Sequence, residues 1–219
     1  MESKNIFFKK VLCPICNKTF ETPTVKVNIP RISYKDSDFF IRYSIENPYF
    51  YDVWVCPTCG YSALKTDFSK IRNFQKKLIK ENITPKWVNR SYKLPYDENI
   101  AIEKYKLALL SSITIESKSS TKAMICLKIA WMYRLLNDDF REKNFLSQAL
   151  SLFEDTYLKE SLPIYGLDRF SIMFLIGELN RRLNNNDIAL RWFSEVITSI
   201  GANQKVKEMA RDGKDKIRG

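Results

Sequence analysis

No histidine occurs anywhere in the 219 residues. That removes the commonest general base, every Ser–His–Asp or Cys–His arrangement, and any mixed Cys/His metal site. Apolar runs are short: none approaches the roughly 18 residues of a membrane span. The stretch Met1 to Lys10 lacks the apolar core of a secretory signal, so the cytoplasm is the expected compartment. Gly (6) and Pro (8) are too few for a low-complexity or collagen-like chain. Acids are also short, 25 Asp+Glu against 36 Lys+Arg. Five cysteines in a chain expected to meet a reducing environment point to metal ligation or burial rather than to a disulfide framework.

Four of those cysteines form two matched turns, Cys13-Pro14-Ile15-Cys16 and Cys56-Pro57-Thr58-Cys59-Gly60. Four thiolates at C-x2-C and C-x2-C spacing close one tetrahedral site, so Cys13, Cys16, Cys56 and Cys59 are the expected metal ligands. The residue after each second cysteine needs a left-handed backbone, which Gly60 supplies freely and Asn17 tolerates. Zn2+ is the expected ion, because a redox-silent metal suits a structural site; Fe is the alternative, since the rubredoxin family holds iron with similar turns. The fifth cysteine, Cys126, lies in the apolar run Met124-Ile125-Cys126-Leu127, where a buried, inert thiol is expected.

The positive charge is local. Residues 1–96 carry 17 Lys+Arg against 8 Asp+Glu, whereas residues 97–219 carry 19 against 17. Between Lys65 and Lys93 nine basic residues face only Asp67 and Glu81. Lysines solvating helix faces account for such a stretch; a nucleic-acid surface, with Phe74, Trp87 and Tyr92 stacking on bases, is the functional alternative.

Along the chain, Ile6–Leu12 reads as a strand and Thr24–Ile29 as a half-buried one. The stretch Tyr34–Phe40, with Asp36 and Asp38, reads as a solvent-facing loop rather than an acid pair. Tyr49–Val55 has the aromatic and β-branched composition of a strand delivering Cys56, its rings packing about the metal. From Asp67 to Asn82 apolar residues recur at helical spacing among lysines. Two prolines, Pro85 and Pro95, then mark a linker. Beyond it the pattern is helical throughout: Asp97 caps a helix with the stripe Ile102, Tyr105, Leu109 and Ile113, and residues 122–136 are apolar nearly all round. Further helices follow over 170–183 and 188–200, with a charged one from Gln204 to Ile217.

The last pair resembles a tetratricopeptide repeat: Gly177 is the small residue of a first helix, with Ala189 and Phe193 in the second, although Asn180 and Val196 depart from that pattern. Looser copies use Ala130, Tyr133, Leu146 and Ala149, and Ala101, Tyr105 and Ala108. Taken together, Cys13-Pro14-Ile15-Cys16, Asp36-Ser37-Asp38-Phe39, Asn47-Pro48, the run Tyr51–Tyr61 and Asp67-Phe68 resemble the bacterial family called domain of unknown function 2225. The resemblance implies a four-cysteine ribbon with tetratricopeptide-like helices, and no reaction or catalytic residue.

The fold class expected is therefore α+β, mostly α: a small N-terminal zinc ribbon over residues 1–66, a basic helix and linker over 67–96, and antiparallel helical pairs of degenerate tetratricopeptide type over 97–219. No catalytic or cofactor-binding residue is expected. The leading functional reading is an adaptor or scaffold whose helical groove, with Arg134, Asn180 and Arg181 exposed in it, binds a protein or peptide. The alternatives are nucleic-acid binding by residues 65–93 and an enzyme built on Asp36, Asp38 or Asp52.

Overall fold

The computed structural model describes residues 4–219, and the chain divides into two compact units. One takes in the chain up to Tyr34, Ile41–Ser117 and Trp131–Asp139; the other is made of Lys35–Phe40, Lys118–Ala130 and Phe140–Gly219. As the composition implies, the architecture is α+β and mostly α, with three two-stranded sheets and seven α-helices among the described residues.

The first unit opens with a set of antiparallel hairpins. Strand β1 (Ile6–Leu12) pairs with β2 (Thr19–Val25), placing Val11 opposite Phe20 on the buried side. Its second strand lies five residues earlier than the alternation at Thr24–Ile29 implies. Pairing along β1 and closure over the first cysteine turn outweigh local pattern, and Pro23 is tolerated because a two-stranded sheet leaves one side of each strand unpaired. Strands β3 (Arg31–Lys35) and β4 (Ile41–Ile45) form a second ribbon. The aromatic run splits into a 3-10 turn, Pro48–Tyr51, capped by the Asn47 side chain, and a short strand, β5 (Val53–Val55), paired with β6 (Ser62–Leu64).

Helix α1 (Asn73–Asn82) starts six residues later than the apolar spacing suggests, because residues 65–70 form consecutive turns that bury Phe68. Phe74 then points outward at 61% exposure, and Ile79 takes the buried position. After α1 comes an irregular stretch, then α2 (Glu98–Thr114), opened by the Asp97 carboxylate accepting from Ile100 N–H. Ile102 and Tyr105 are buried as the stripe requires, but Ile113 is exposed.

The remaining helices are α3 (Ser119–Leu135), α4 (Asp139–Lys159), α5 (Arg169–Arg182), α6 (Asn186–Thr198) and α7 (Gln204–Arg218). The near-continuous burial of Ala123–Tyr133 matches the all-round apolar character of α3. In the helical unit one ring organises the C-terminal packing. A Cβ on Gly177 of α5 would lie 2.8 Å from Phe193, and one on Gly213 of α7 2.6 Å from the same ring. Two glycines thus let α5 and α7 close on Phe193 of α6, with Ala189, Val196, Val206 and Ala210 filling the rest.

Candidate metal centre

Each cysteine turn is closed by the same pair of backbone bonds. In the first, Cys13 N–H donates to Lys18 C=O and Asn17 N–H to Cys13 C=O, both at 3.0 Å; in the second, Cys56 N–H donates to Tyr61 C=O at 2.9 Å and Gly60 N–H to Cys56 C=O at 3.0 Å. Asn17 (φ 58°) and Gly60 (φ 77°) have the left-handed backbone expected of them. The hairpins β1–β2 and β5–β6 present these turns, so neither pair of sulfurs depends on a long flexible loop.

The four sulfurs lie within 4.8 Å of one another, with Cys13–Cys59 and Cys16–Cys56 each 3.6 Å apart. Four thiolates about 2.3 Å from a central ion stand about 3.8 Å apart in a tetrahedron, so this donor set fits one ion. All four cysteines are free of disulfides. Cys13, Cys56 and Cys59 are buried and Cys16 is half-buried. The thiols share protons: the Cys13 thiol, and then that of Cys59, hold Cys56 low, while their own thiols are driven up by the same contacts, Cys13 to about 12. A cation replacing those protons is the natural counter-charge.

The surrounding shell is apolar and aromatic. Phe68 takes Phe20, Trp54 and Tyr61 around its ring at centroid distances of 5.9, 5.6 and 4.9 Å. Tyr61 donates its hydroxyl to Phe68 C=O at 3.2 Å, and burial holds its phenol well above the usual range. Of the Tyr49–Val55 aromatics only Trp54 joins this shell; Tyr49 packs on Trp131 and Tyr51 stacks on Tyr96. Support also comes from beyond α1. Thr84 donates its hydroxyl to Cys59 C=O at 3.1 Å, and Trp87 donates its indole N–H to Pro57 C=O at 2.9 Å. The Trp87 ring lies against Gly60, where a Cβ would be 2.6 Å from it. Sequence reasoning missed both supports; the Pro85-Lys86-Trp87 segment after a helix carried no local sign of where it folds back.

Other expected sites do not form as the sequence implies. Asp36 and Asp38 do not sit in a solvent-facing loop: both are buried with Phe40, and Asp38 faces Arg182 at 3.6 Å. Ser37 donates to Glu178 Oε1 at 2.6 Å, and Phe39 meets Phe174 edge-on at 5.6 Å. Glu178, itself fully buried, accepts from Arg181 and from Arg182 Nε. The turn is a tooth of the helical core, its charges balanced by arginines. Asp52 is buried and paired with Lys65 at 3.4 Å.

Two of the expected groove residues, Asn180 and Arg181, are spent within the helical unit. Asn180 is 1% exposed, bonded to Ile176 C=O and Asn185, and Arg181 is committed to Glu178. In the basic stretch, Lys65, Lys70, Lys77 and Arg90 pair with Asp52, Asp67, Glu81 and Glu103. Trp87 is spent on the cysteine turn and Tyr92 on Glu103. Cys126 is buried in α3 and burial pushes its thiol up to about 12, an inert group as expected.

Four thiolates gathered between two hairpin turns could hold a metal ion with no position left open, the donor set of a structural rather than a catalytic site. The chain belongs to the family domain of unknown function 2225, described as an uncharacterized protein conserved in bacteria, whose model matches residues 6–217. No curated protein and no solved structure matches it. No helix among the described residues is long and apolar enough to cross a membrane.

Proposed function

We propose that the chain is a non-catalytic interaction protein, in which zinc held by Cys13, Cys16, Cys56 and Cys59 fixes a rigid ribbon and a helix face receives a segment of a partner protein. Zinc is preferred to iron because the donor set is closed and the shell offers a structural ion no redox task. Four free thiols need a reducing compartment, which supports the cytoplasm.

The partner reading rests on one observation. Helix α2 turns Ala101, Tyr105, Ala108 and Ser111 inward and leaves Leu110 and Ile113 side by side outside, 52% and 57% exposed, with Lys106 one turn before them. An apolar pair at i, i+3 suits the apolar face of an amphipathic helix laid across it. This face replaces the groove of Arg134, Asn180 and Arg181. The basic stretch from Lys65 to Lys93 favours a nucleic acid less, since four of its cations are paired and Trp87 and Tyr92 are committed elsewhere.

The test is capture from bacterial lysate by tagged wild-type and Leu110→Lys/Ile113→Lys protein, with and without nuclease. A protein partner that survives nuclease and is lost with the double variant is expected. Bound material that vanishes with nuclease, or a partner held equally by both, overturns the reading.

A further inference from the structure

Strand β3 stands open to solvent wherever β4 does not touch it. All five of its residues, Arg31 to Lys35, are exposed, and no further strand lies beside it among the described residues. Its partner β4 differs. There Ile41, Arg42 and Tyr43 are half-buried, and Tyr43 meets the Tyr49 ring edge-on at 6.0 Å. One strand of the ribbon is thus held by packing, while the other presents an unused row of backbone donors and acceptors.

That row is already in shape. Asp36 N–H donates to Phe40 C=O at 2.8 Å at the turn, and two serine hydroxyls stitch the strands, Ser33 to Arg42 C=O at 3.1 Å and Ser44 to Arg31 C=O at 3.3 Å. A segment adding to β3 meets an extended backbone, so little of the ordering cost falls on the host.

Side chains along β3 alternate in kind as well as in direction. Ile32 and Tyr34 share one face, 55% and 62% exposed, and Arg31, Ser33 and Lys35 share the other. Neither the Arg31 guanidinium nor the Lys35 amine has a carboxylate partner among the described residues. These charges exclude one occupant and select another. A second copy laid antiparallel about Ser33 sets Arg31 against Lys35, and a parallel one brings each cation beside its own counterpart; like charges opposed across strands are destabilising. An acidic strand reverses the sign at both ends. The two cations stand four residues apart, about 13 Å, so acids at alternate positions of an added strand meet both, and the residues between those acids fall on the face of Ile32 and Tyr34. A nucleic acid offers phosphates to the cations but nothing to the backbone row.

We propose that β3 is a docking edge for an extended acidic segment of another protein, in which Asp or Glu alternates with apolar residues, added to the ribbon as a third strand. The backbone ladder supplies affinity, and the two faces choose the sequence: acids beside Arg31 and Lys35, apolar side chains beside Ile32 and Tyr34. This edge is a different surface from the exposed face of α2 and does not depend on it.

The test titrates the full metal-loaded chain into a fluorescein-labelled heptapeptide of alternating glutamate and valine, with binding read by anisotropy. Saturable binding is expected, and a peptide of the same composition with its glutamates and valines in separate blocks should bind several-fold more weakly. Each exposed ion pair is worth up to about fivefold and reversal adds repulsion, so Arg31→Glu/Lys35→Glu should weaken binding at least ~10-fold. Methylating alternate amide nitrogens of the peptide should abolish binding in one phase and spare it in the other, because an added strand turns only every second N–H toward its host. That comparison uses the wild-type chain and so does not depend on how the variant folds. No binding, indifference to charge reversal, or equal loss in both methylation phases overturns the proposal. Displacement of the peptide by a fluorescein-free single-stranded oligothymidylate that binds more tightly also overturns it, and makes β3 a phosphate-binding surface instead.

Discussion

Gly60→Ala tests whether the metal turn and the Trp87 cover act as one unit. Two separate penalties meet there. The backbone is left-handed at φ 77°, which costs a residue bearing Cβ about 1–2 kcal/mol. The added methyl would also lie 2.6 Å from the Trp87 ring, closer than real Cβ contacts come, so the indole must shift and strain its bond to Pro57. Overpacking of this kind costs about 1–3 kcal/mol. Against these, alanine reduces the freedom of the unfolded chain and returns about 0.4–1 kcal/mol. The net expectation is a loss of about 2–4 kcal/mol from the ribbon unit.

The matching position in the other turn separates the two penalties. Asn17 has φ 58° and already carries a Cβ, so Asn17→Ala forfeits only the tolerance of Asn for that backbone, about 1 kcal/mol or less. Urea unfolding followed by tryptophan fluorescence, with zinc retention measured in parallel under a competing chelator, reads both effects. Gly60→Ala should lose zinc at lower chelator than Asn17→Ala, and Trp87→Ala introduced beside it should remove part of the added cost. Equal behaviour of the two turn variants would refute the idea that Trp87 presses on the second turn.

Cys56→Ser should leave three thiolates, drop zinc content to near zero by metal analysis, and destabilise the ribbon unit, because metal binding there is folding free energy; normal zinc with an unchanged melt refutes the site. Glu178→Gln should cost about 1.5–3 kcal/mol in urea unfolding, since the change removes the carboxylate that Arg181 and Arg182 share and leaves Asp38 alone to face Arg182; a loss under about 0.5 kcal/mol would mean the network is not structural. Lys104→Met should raise stability at pH 7 by about 1–3 kcal/mol, the burial penalty of this lysine in α2 being offset in part by the Tyr92 and Tyr96 ring faces. The sign follows from the amine's descent to about 7 from an unfolded value near 10.5: the unfolded chain binds more protons between those pH values, so wild-type stability climbs as pH rises from 7. Removing the lysine should flatten that slope between pH 7 and 9, and an unaltered slope would show that Lys104 does not titrate there.

Much of this molecule is legible from local spacing alone. Two cysteines three positions apart need only one tight turn to present both sulfurs, and the turn chemistry at Asn17 and Gly60 is set by residues within that turn. The matched pair therefore announces the four-thiolate cluster without knowledge of the fold. Helix existence is similarly local, since Asp97 and the apolar content of residues 122–136 carry their own signals.

What the tertiary structure decided is which side of each element found a partner. Asp36 and Asp38 look like solvent-facing acids because charge implies exposure, yet Arg181 and Arg182, more than 140 positions away, make burial affordable. Asn180 and Phe74 have the opposite residue types from their surroundings, one polar and buried, the other aromatic and exposed, because the helix start and the neighbouring helices fix which face turns inward. Trp87 covers the cysteine turn and Tyr96 covers Lys104 through contacts between segments with no shared periodicity. Hydrophobic pattern records the average environment of an element; which side chain meets which is settled only when distant segments compete for the same space.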